Sequence, residues 1–264
     1  MALDIIPFAG LCNRMRVVAS AYECSREKGL TARVLWDTTD PGCKAAFHSL
    51  FLPVVAEGLV IEDTTTLIAR AQSKRNLYIP KILRRLHYRT LIENYNWNWA
   101  GKKFSLPDAK GPMAIYSMHQ CGPNYPLADL FRPVPALVAR IDALVPDGPV
   151  VGVHIRRTDH VQAIRHAAVE DYIGLMDREV AQNEEVRFFL ATDDENVKRR
   201  LIDHLGKERI STAAAELRRD TLAGIEAAVV DLFALSRCGK IIGSYYSSYS
   251  EIAAELGHIE MIIP

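Results

Sequence analysis

Five cysteines in 264 residues are few, and Cys12, Cys24, Cys43, Cys121 and Cys238 are odd in number, scattered and without a C-x-x-C pair. That pattern supplies neither a zinc ligand set nor a disulfide framework, and it leads us to expect a reduced, cytoplasmic protein with no metal site. Charge of one sign is also lacking. Lysine plus arginine and aspartate plus glutamate are 32 each, whereas a nucleic-acid binder is expected to carry a basic surplus. No apolar run approaches the ~20 residues needed to cross a bilayer. Leu3-Asp-Ile-Ile-Pro7 starts with no basic stretch leading into an apolar one, so no leader peptide is expected. Neither G-x-G-x-x-G nor a P-loop lysine occurs, which removes support from dinucleotide oxidoreductases and P-loop nucleotidases.

Apolar residues make up 49% of the chain, with no low-complexity tract, and the length suits two modest domains or one large α/β unit. A strand near Leu3–Pro7, a helix from about Asn13 to Lys28 and a strand near Ala32–Trp36 read as a β-α-β opening and hence a parallel sheet. The stretch from Thr64 to Pro126 reads as irregular. It is rich in aromatics, among them Trp97, Trp99 and Tyr116. These read as core or interface, with a sugar-stacking cleft as the alternative. Lys81 to Arg89 is a basic run that reads as a solvated helix face, with an acceptor or a membrane surface as the alternative. After a proline-bracketed helix between Pro133 and Pro149, strands and helices alternate strictly from Val150 to Ile263, the pattern of a doubly wound domain. The expected architecture is two Rossmann-type α/β domains with parallel sheets facing a cleft, residues 1–146 on the acceptor side and 147–264 binding the nucleotide.

Four segments fall at the carboxyl ends of expected strands, where open α/β sheets bind ligands. Phe8-Ala-Gly-Leu-Cys-Asn-Arg14 opens a helix whose free N–H groups suit phosphate, or is a plain turn capped by Asn13. Val150-Val-Gly-Val-His-Ile-Arg-Arg-Thr-Asp159 passes from a buried strand into paired arginines, which suit phosphate oxygens or staple a loop to an aspartate. Leu190-Ala-Thr-Asp-Asp194 delivers two carboxylates for a sugar hydroxyl, a metal or a helix cap. Gly243-Ser-Tyr-Tyr-Ser-Ser-Tyr-Ser250 offers hydroxyls for phosphate or for a helix N-terminus.

Gly10-Leu-Cys-Asn-Arg14, His154-Ile-Arg-Arg-Thr-Asp159, Ala191-Thr-Asp-Asp194, Asp231 within Val229–Ser236, and Ser247-Ser248 occur in an order that resembles the fucosyltransferases of the α-1,6-, nodulation and protein-O-fucosyltransferase superfamily. The resemblance covers the N-terminal turn and most of the C-terminal half. It implies a metal-independent, inverting GT-B enzyme that takes fucose from GDP-fucose, its donor substrate, to a glycan, with no cofactor. It also implies that Arg156 grips the β-phosphate, that His154 and Asp231 lie near the guanine, and that Ser247 and Ser248 contact the diphosphate. Gly10, Asn13 and Arg14 would close over the donor, with Arg157 and Asp193 beside it. Ala9 and Cys12 stand where the family turn has glycine, and no glutamate follows the arginines, Ile164 being nearest in position. Asp159, His160 and His166 are therefore the candidates for the general base. Two other readings compete: a catalytically silent GDP-sugar-binding protein, and a transferase using another nucleotide sugar.

Overall fold

The computed structural model describes residues 2–96, 104–108, 111–157, 165–213 and 218–264. The chain forms two compact units, Met1–Val134 with Arg218–Ile225, and Pro135–Leu217 with Glu226–Pro264.

The first unit is built on strands β1 (Ala2–Pro7), β2 (Thr31–Asp37), β3 (Leu59–Thr64), β4 (Thr90–Glu93) and β5 (Met113–Ser117), in the order β3-β2-β1-β5-β4. Every neighbouring pair is parallel. Helix α1 (Leu11–Glu27) is the crossover from β1 to β2. The stretch expected to be irregular is not so. It contributes a nine-residue helix, α3 (Ile79–His87), and the two strands β4 and β5, after a short α2 at Phe47–Leu50. β5 escapes a sequence reading because Met-Ala-Ile-Tyr-Ser has one β-branched residue and five positions, too few for a period to emerge. Yet it lies against β1, with Leu3 opposite Met113 and Pro7 opposite Ser117. Tyr116 is a core residue rather than part of a cleft: it is buried, stacked on Phe8 with ring centroids 4.4 Å apart. Trp97 and Trp99 lie outside the described residues. A backbone bond also ties Arg218–Ile225 into this unit, Lys44 N donating to Arg219 O at 3.1 Å.

The second unit has β6 (Val150–Ile155), β7 (Arg187–Thr192), β8 (Ile210–Ser211), β9 (Lys240–Ile242) and β10 (Glu260–Ile262), ordered β10-β9-β6-β7-β8 and wholly parallel. After α4 (Leu127–Leu130) of the first unit, its helices are α5 (Pro135–Asp142), α6 (Val169–Gln182), α7 (Glu195–Leu205), α8 (Leu222–Ser236, which begins in the first unit) and α9 (Ser248–Gly257). Alternation along β6 sorts the two faces. Val151, Val153 and Ile155 pack with Val169, Tyr172 and Met176 of α6 and with Val197 and Leu201 of α7. Gly152 and His154 face the other side. A Cβ on Gly152 would sit 3.0 Å from Leu235 of α8, so glycine lets that helix approach the sheet. Starting from β6, chain order runs outward through β7 and β8 on one side and β9 and β10 on the other. The sheet thus has its topological switch point between β6 and β9, where α/β folds place their ligand crevice.

Candidate active site

Beyond the carboxyl ends of β6 and β9 a knot of buried hydroxyls joins the two strands. Ser244 is its hub: its Oγ accepts from Arg156 N at 3.0 Å and donates to His154 O at 2.9 Å. With that proton committed, Tyr172 OH donates to Ser244 Oγ across 3.1 Å. Ser244 N in turn donates to Ser250 Oγ (3.1 Å), which lies 2.7 Å from His154 Nδ1. Glycine at 243 permits this closeness, since a Cβ there would stand 2.9 Å from the Cβ of Ser250. The sequence places Ser244 and Ser250 within the hydroxyl run without singling them out, and gives no sign of Tyr172. The hydroxyl-rich run was a signal, but its division of labour depends on which residues turn inward.

His154 is enclosed, and burial, reinforced by the nearby Arg156 charge, pushes its pKa down to about 4. The imidazole is therefore neutral near pH 7. Ser250 O–H has Nδ1 as its acceptor, which leaves the ring proton on Nε2. The ring also packs on Tyr249 at a centroid distance of 4.9 Å, and Tyr249 OH donates to Ala228 O of α8 at 2.6 Å. One turn further along α8 is Asp231. It is buried, its Oδ1 has no hydrogen-bond partner among the described residues, and burial pushes its pKa up to about 7 against the pull of Lys198 and Arg140.

The two arginines have separate roles. Arg157 fixes the loop: its backbone N–H donates to Asp193 Oδ1 at 2.7 Å and its Nη1 to Ala167 O at 2.9 Å. Arg156 is half-buried, with its backbone held by Ser244. The adjacent carboxylates also part, as alternation on an extended chain requires. Asp193 receives Arg157, while Asp194 caps α7, its Oδ1 accepting from Asn196 N at 2.8 Å. Among the described residues no group of three His, Cys, Asp or Glu side chains is placed to hold a metal.

Ser247 sits at the N-cap position of α9, yet its side chain makes no capping bond. Its Oγ is buried and has no partner among the described residues. Ser248 begins the helix, half-buried. Of the candidate bases, Asp159 and His160 lie outside the described residues. His166 is exposed and stacks on Tyr245, ring centroids 3.9 Å apart and planes 17° from parallel.

The N-terminal turn is arranged differently from the expectation for Arg14. That side chain is fully buried. Its Nε donates to Ala9 O at 3.1 Å, its Nη1 to Asp37 O at 2.8 Å, and its Nη2 pairs with Asp40 at 3.1 Å. Every donor faces the fold, so Arg14 shapes the turn from inside and offers a ligand nothing. Asp40, which the sequence did not reveal, completes the staple by accepting from Ala9 N at 3.0 Å and Gly42 N at 2.8 Å. Ala9 takes the left-handed conformation (φ 70°), which glycine adopts without strain, at a cost of about 1–2 kcal/mol. Gly10, not Asn13, is the N-cap of α1, and no side chain caps it. Asn13 instead accepts from Arg16 at 2.6 Å.

Residues 130–260 match the family of alpha-(1,6)-fucosyltransferase N- and catalytic domains. Among solved structures, NodZ alpha-1,6-fucosyltransferase soaked with GDP-fucose is similar at a TM-score of 0.65 and 18% identity, over 96% of this chain and 92% of that one. Fucosyltransferase NodZ from Bradyrhizobium gives a TM-score of 0.64 and 15% identity, over 95% and 91%. POFUT1 in complex with GDP-fucose gives 0.61 and 11%, over 99% and 97%. At these identities the likeness establishes a shared fold, that of the GT-B fucosyltransferases. A comparison with curated protein sequences finds no match.

Proposed function

We propose, from the premise that the catalytic half of this chain (residues 130–260) belongs to the fucosyltransferase superfamily, that the protein moves fucose from GDP-fucose to a hydroxyl of a glycan acceptor. The observation that carries the reading is the pair of buried, unpartnered acceptors in the second unit, Asp231 Oδ1 and Ser247 Oγ. A buried polar atom without a partner costs about 1–3 kcal/mol, a cost that a bound ligand removes. Ionised Asp231 accepts hydrogen bonds, and His154 Nε2–H donates one. Together they complement the guanine edge, with its N1 and N2 hydrogens and its O6. Ser247 and Ser248, with the first N–H groups of α9, suit the diphosphate.

The chemistry is an inverting displacement. The acceptor oxygen attacks the anomeric carbon on the face opposite GDP, the bond from that carbon to the β-phosphate oxygen breaks, and GDP departs with the electron pair. Arg156 meets the charge that grows on the leaving phosphate, in the place a metal takes in other transferases. Metal independence is further supported by Asp193 and Asp194, each already committed to a backbone N–H. A base must take the acceptor proton, and His166, held by its stack on Tyr245, is the described residue best suited to it.

GDP release from GDP-fucose, followed with an array of glycan acceptors and with EDTA present, tests the whole reading. Acceptor-stimulated release that survives EDTA is expected. Tight GDP-fucose binding with no turnover on any acceptor would identify a silent binder instead, and loss of turnover in EDTA with recovery in manganese would remove the metal-free mechanism. His166→Ala is expected to lower turnover at unchanged GDP affinity.

A further inference from the structure

Helix α3 of the first unit is amphipathic in the reverse sense. Its buried side chains are Pro80 and Arg84. The Arg84 guanidinium turns inward, 3.7 Å from the centre of the Tyr116 ring. Its Nη1 donates to Ile68 O and Arg70 O, both at 2.9 Å, and its Nη2 to Gln72 Oε1 at 2.7 Å. Because Arg84 locks this face to the core, the opposite face is forced outward, and that face is apolar. Ile79, Ile82 and Leu86, spaced i, i+3 and i+7 on one stripe, are 43%, 54% and 80% exposed. Just before the helix, Leu77 and Tyr78 both adopt the left-handed conformation (φ 51° and 56°) and extend the stripe, 75% and 44% exposed. The run that reads as a solvated charged face is thus an apolar ridge.

Charge borders it. Residues 74–93 contain Lys74, Arg75, Lys81, Arg84, Arg85 and Arg89 against Glu93 alone, six positive less one negative, in a chain whose net charge is zero. Glu93 answers Arg85 at 3.5 Å, and Arg84 is buried, which leaves Lys74, Arg75, Lys81 and Arg89 around the ridge with no carboxylate in residues 74–93 to offset them. An exposed aliphatic stripe edged by lysine and arginine is what an amphipathic segment lying in the headgroup region of an anionic bilayer requires. We infer that Leu77–Leu86 is a docking surface for a membrane rich in anionic lipid. The inference stands independently of the donor chemistry.

Co-sedimentation of the full chain with vesicles tests it. Binding is expected to phosphatidylcholine vesicles containing about a third phosphatidylglycerol, to fall with added salt, and to be weak on phosphatidylcholine alone. Ile82→Ser with Leu86→Ser removes apolar side chains that already face solvent, so folding, checked by circular dichroism, is retained. Binding should drop roughly tenfold or more. Lys81→Glu with Arg75→Glu should reduce it comparably. No binding to the anionic vesicles, or binding indifferent to Ile82→Ser with Leu86→Ser, overturns the inference. So does a dimer in light scattering that this double substitution dissolves, since the ridge would then belong to a second copy of the chain.

Discussion

The ends of β1 and β6 invite comparison, because both strands are central in a wholly parallel sheet and both lead into a turn bearing arginine. In the first unit Arg14 folds back on Ala9, Asp37 and Asp40 and vanishes from the surface. In the second, backbone groups and hydroxyls build the turn: Ser244, Ser250, Tyr172 and the neutral His154 hold it, and Arg157 supports the loop. Acceptor atoms there, on Asp231 and Ser247, stay unanswered. Arginine at a strand end is therefore no marker of a phosphate site by itself. What distinguishes the two turns is where the arginine goes: Arg14 is fully buried against Asp40, whereas Arg156 stays half-buried at its strand end.

Substitution should separate them most sharply at Arg14. Arg14→Ala leaves Asp40 buried without its cation and is expected to destabilise the first unit by about 3–5 kcal/mol, seen as a lowered calorimetric Tm. An unchanged Tm would mean that the turn does not depend on its internal pair. Titration comes next. Asp231, raised by burial to about 7, keeps a proton in the folded state that the unfolded chain releases from 3.8 upward, so its contribution to stability is full below 3.8 and is lost as pH rises through about 7. His154, lowered to about 4, contributes above 6.5 and loses that contribution as pH falls through about 4. The two slopes oppose, and Asp231→Asn should expose the histidine's alone, a rise on the order of a few kcal/mol between pH 4 and 6.5 in urea titrations. A variant with a flat profile would show that His154 is not held neutral.

Arg156→Lys should weaken GDP binding by about 1–3 kcal/mol with stability unchanged, the reverse of the outcome at Arg14, because a point charge does not reproduce the guanidinium fork. Calorimetry finding equal affinity would remove Arg156 from the donor site. The smallest effect belongs to Ala9→Gly. Relief of the left-handed strain less the added freedom of the unfolded chain predicts a gain of about 1 kcal/mol or less. A loss in chemical denaturation would mean that the Ala9 methyl packs.

The second unit was largely legible in its sequence, and the reason is physical. Val150–Ile155, Val169–Gln182, Glu195–Leu205 and Leu222–Ser236 fold as read because each is long enough for its period and lies between clear breaks. In the first unit β4 and β5 have four and five residues, and their pairing is a tertiary fact rather than a local one. The site divides along similar lines. Motifs name His154, Arg156, Asp231 and Ser247 as candidates, and these are the residues proposed to meet the donor, whereas Arg14 misled, because the aspartate that draws it inward is 26 positions away. Arg84 misled in the same manner: a basic run suggests solvent until Tyr116, two backbone carbonyls and the Gln72 side chain claim one of its members.

The segment Arg218–Ile225, counted with the first unit, sets an order of events during synthesis. Domains generally fold as they emerge, N-terminal first. Here the first unit stays unfinished while residues 135–217 are made, and the amide of Lys44 waits for the carbonyl of Arg219. The second unit is meanwhile missing α8, α9 and two of its five strands, β9 and β10. Both units are completed only by residues 218–264, so a ribosome stalled before that point carries all five strands of the first sheet without the 218–225 segment, and three of the five strands of the second.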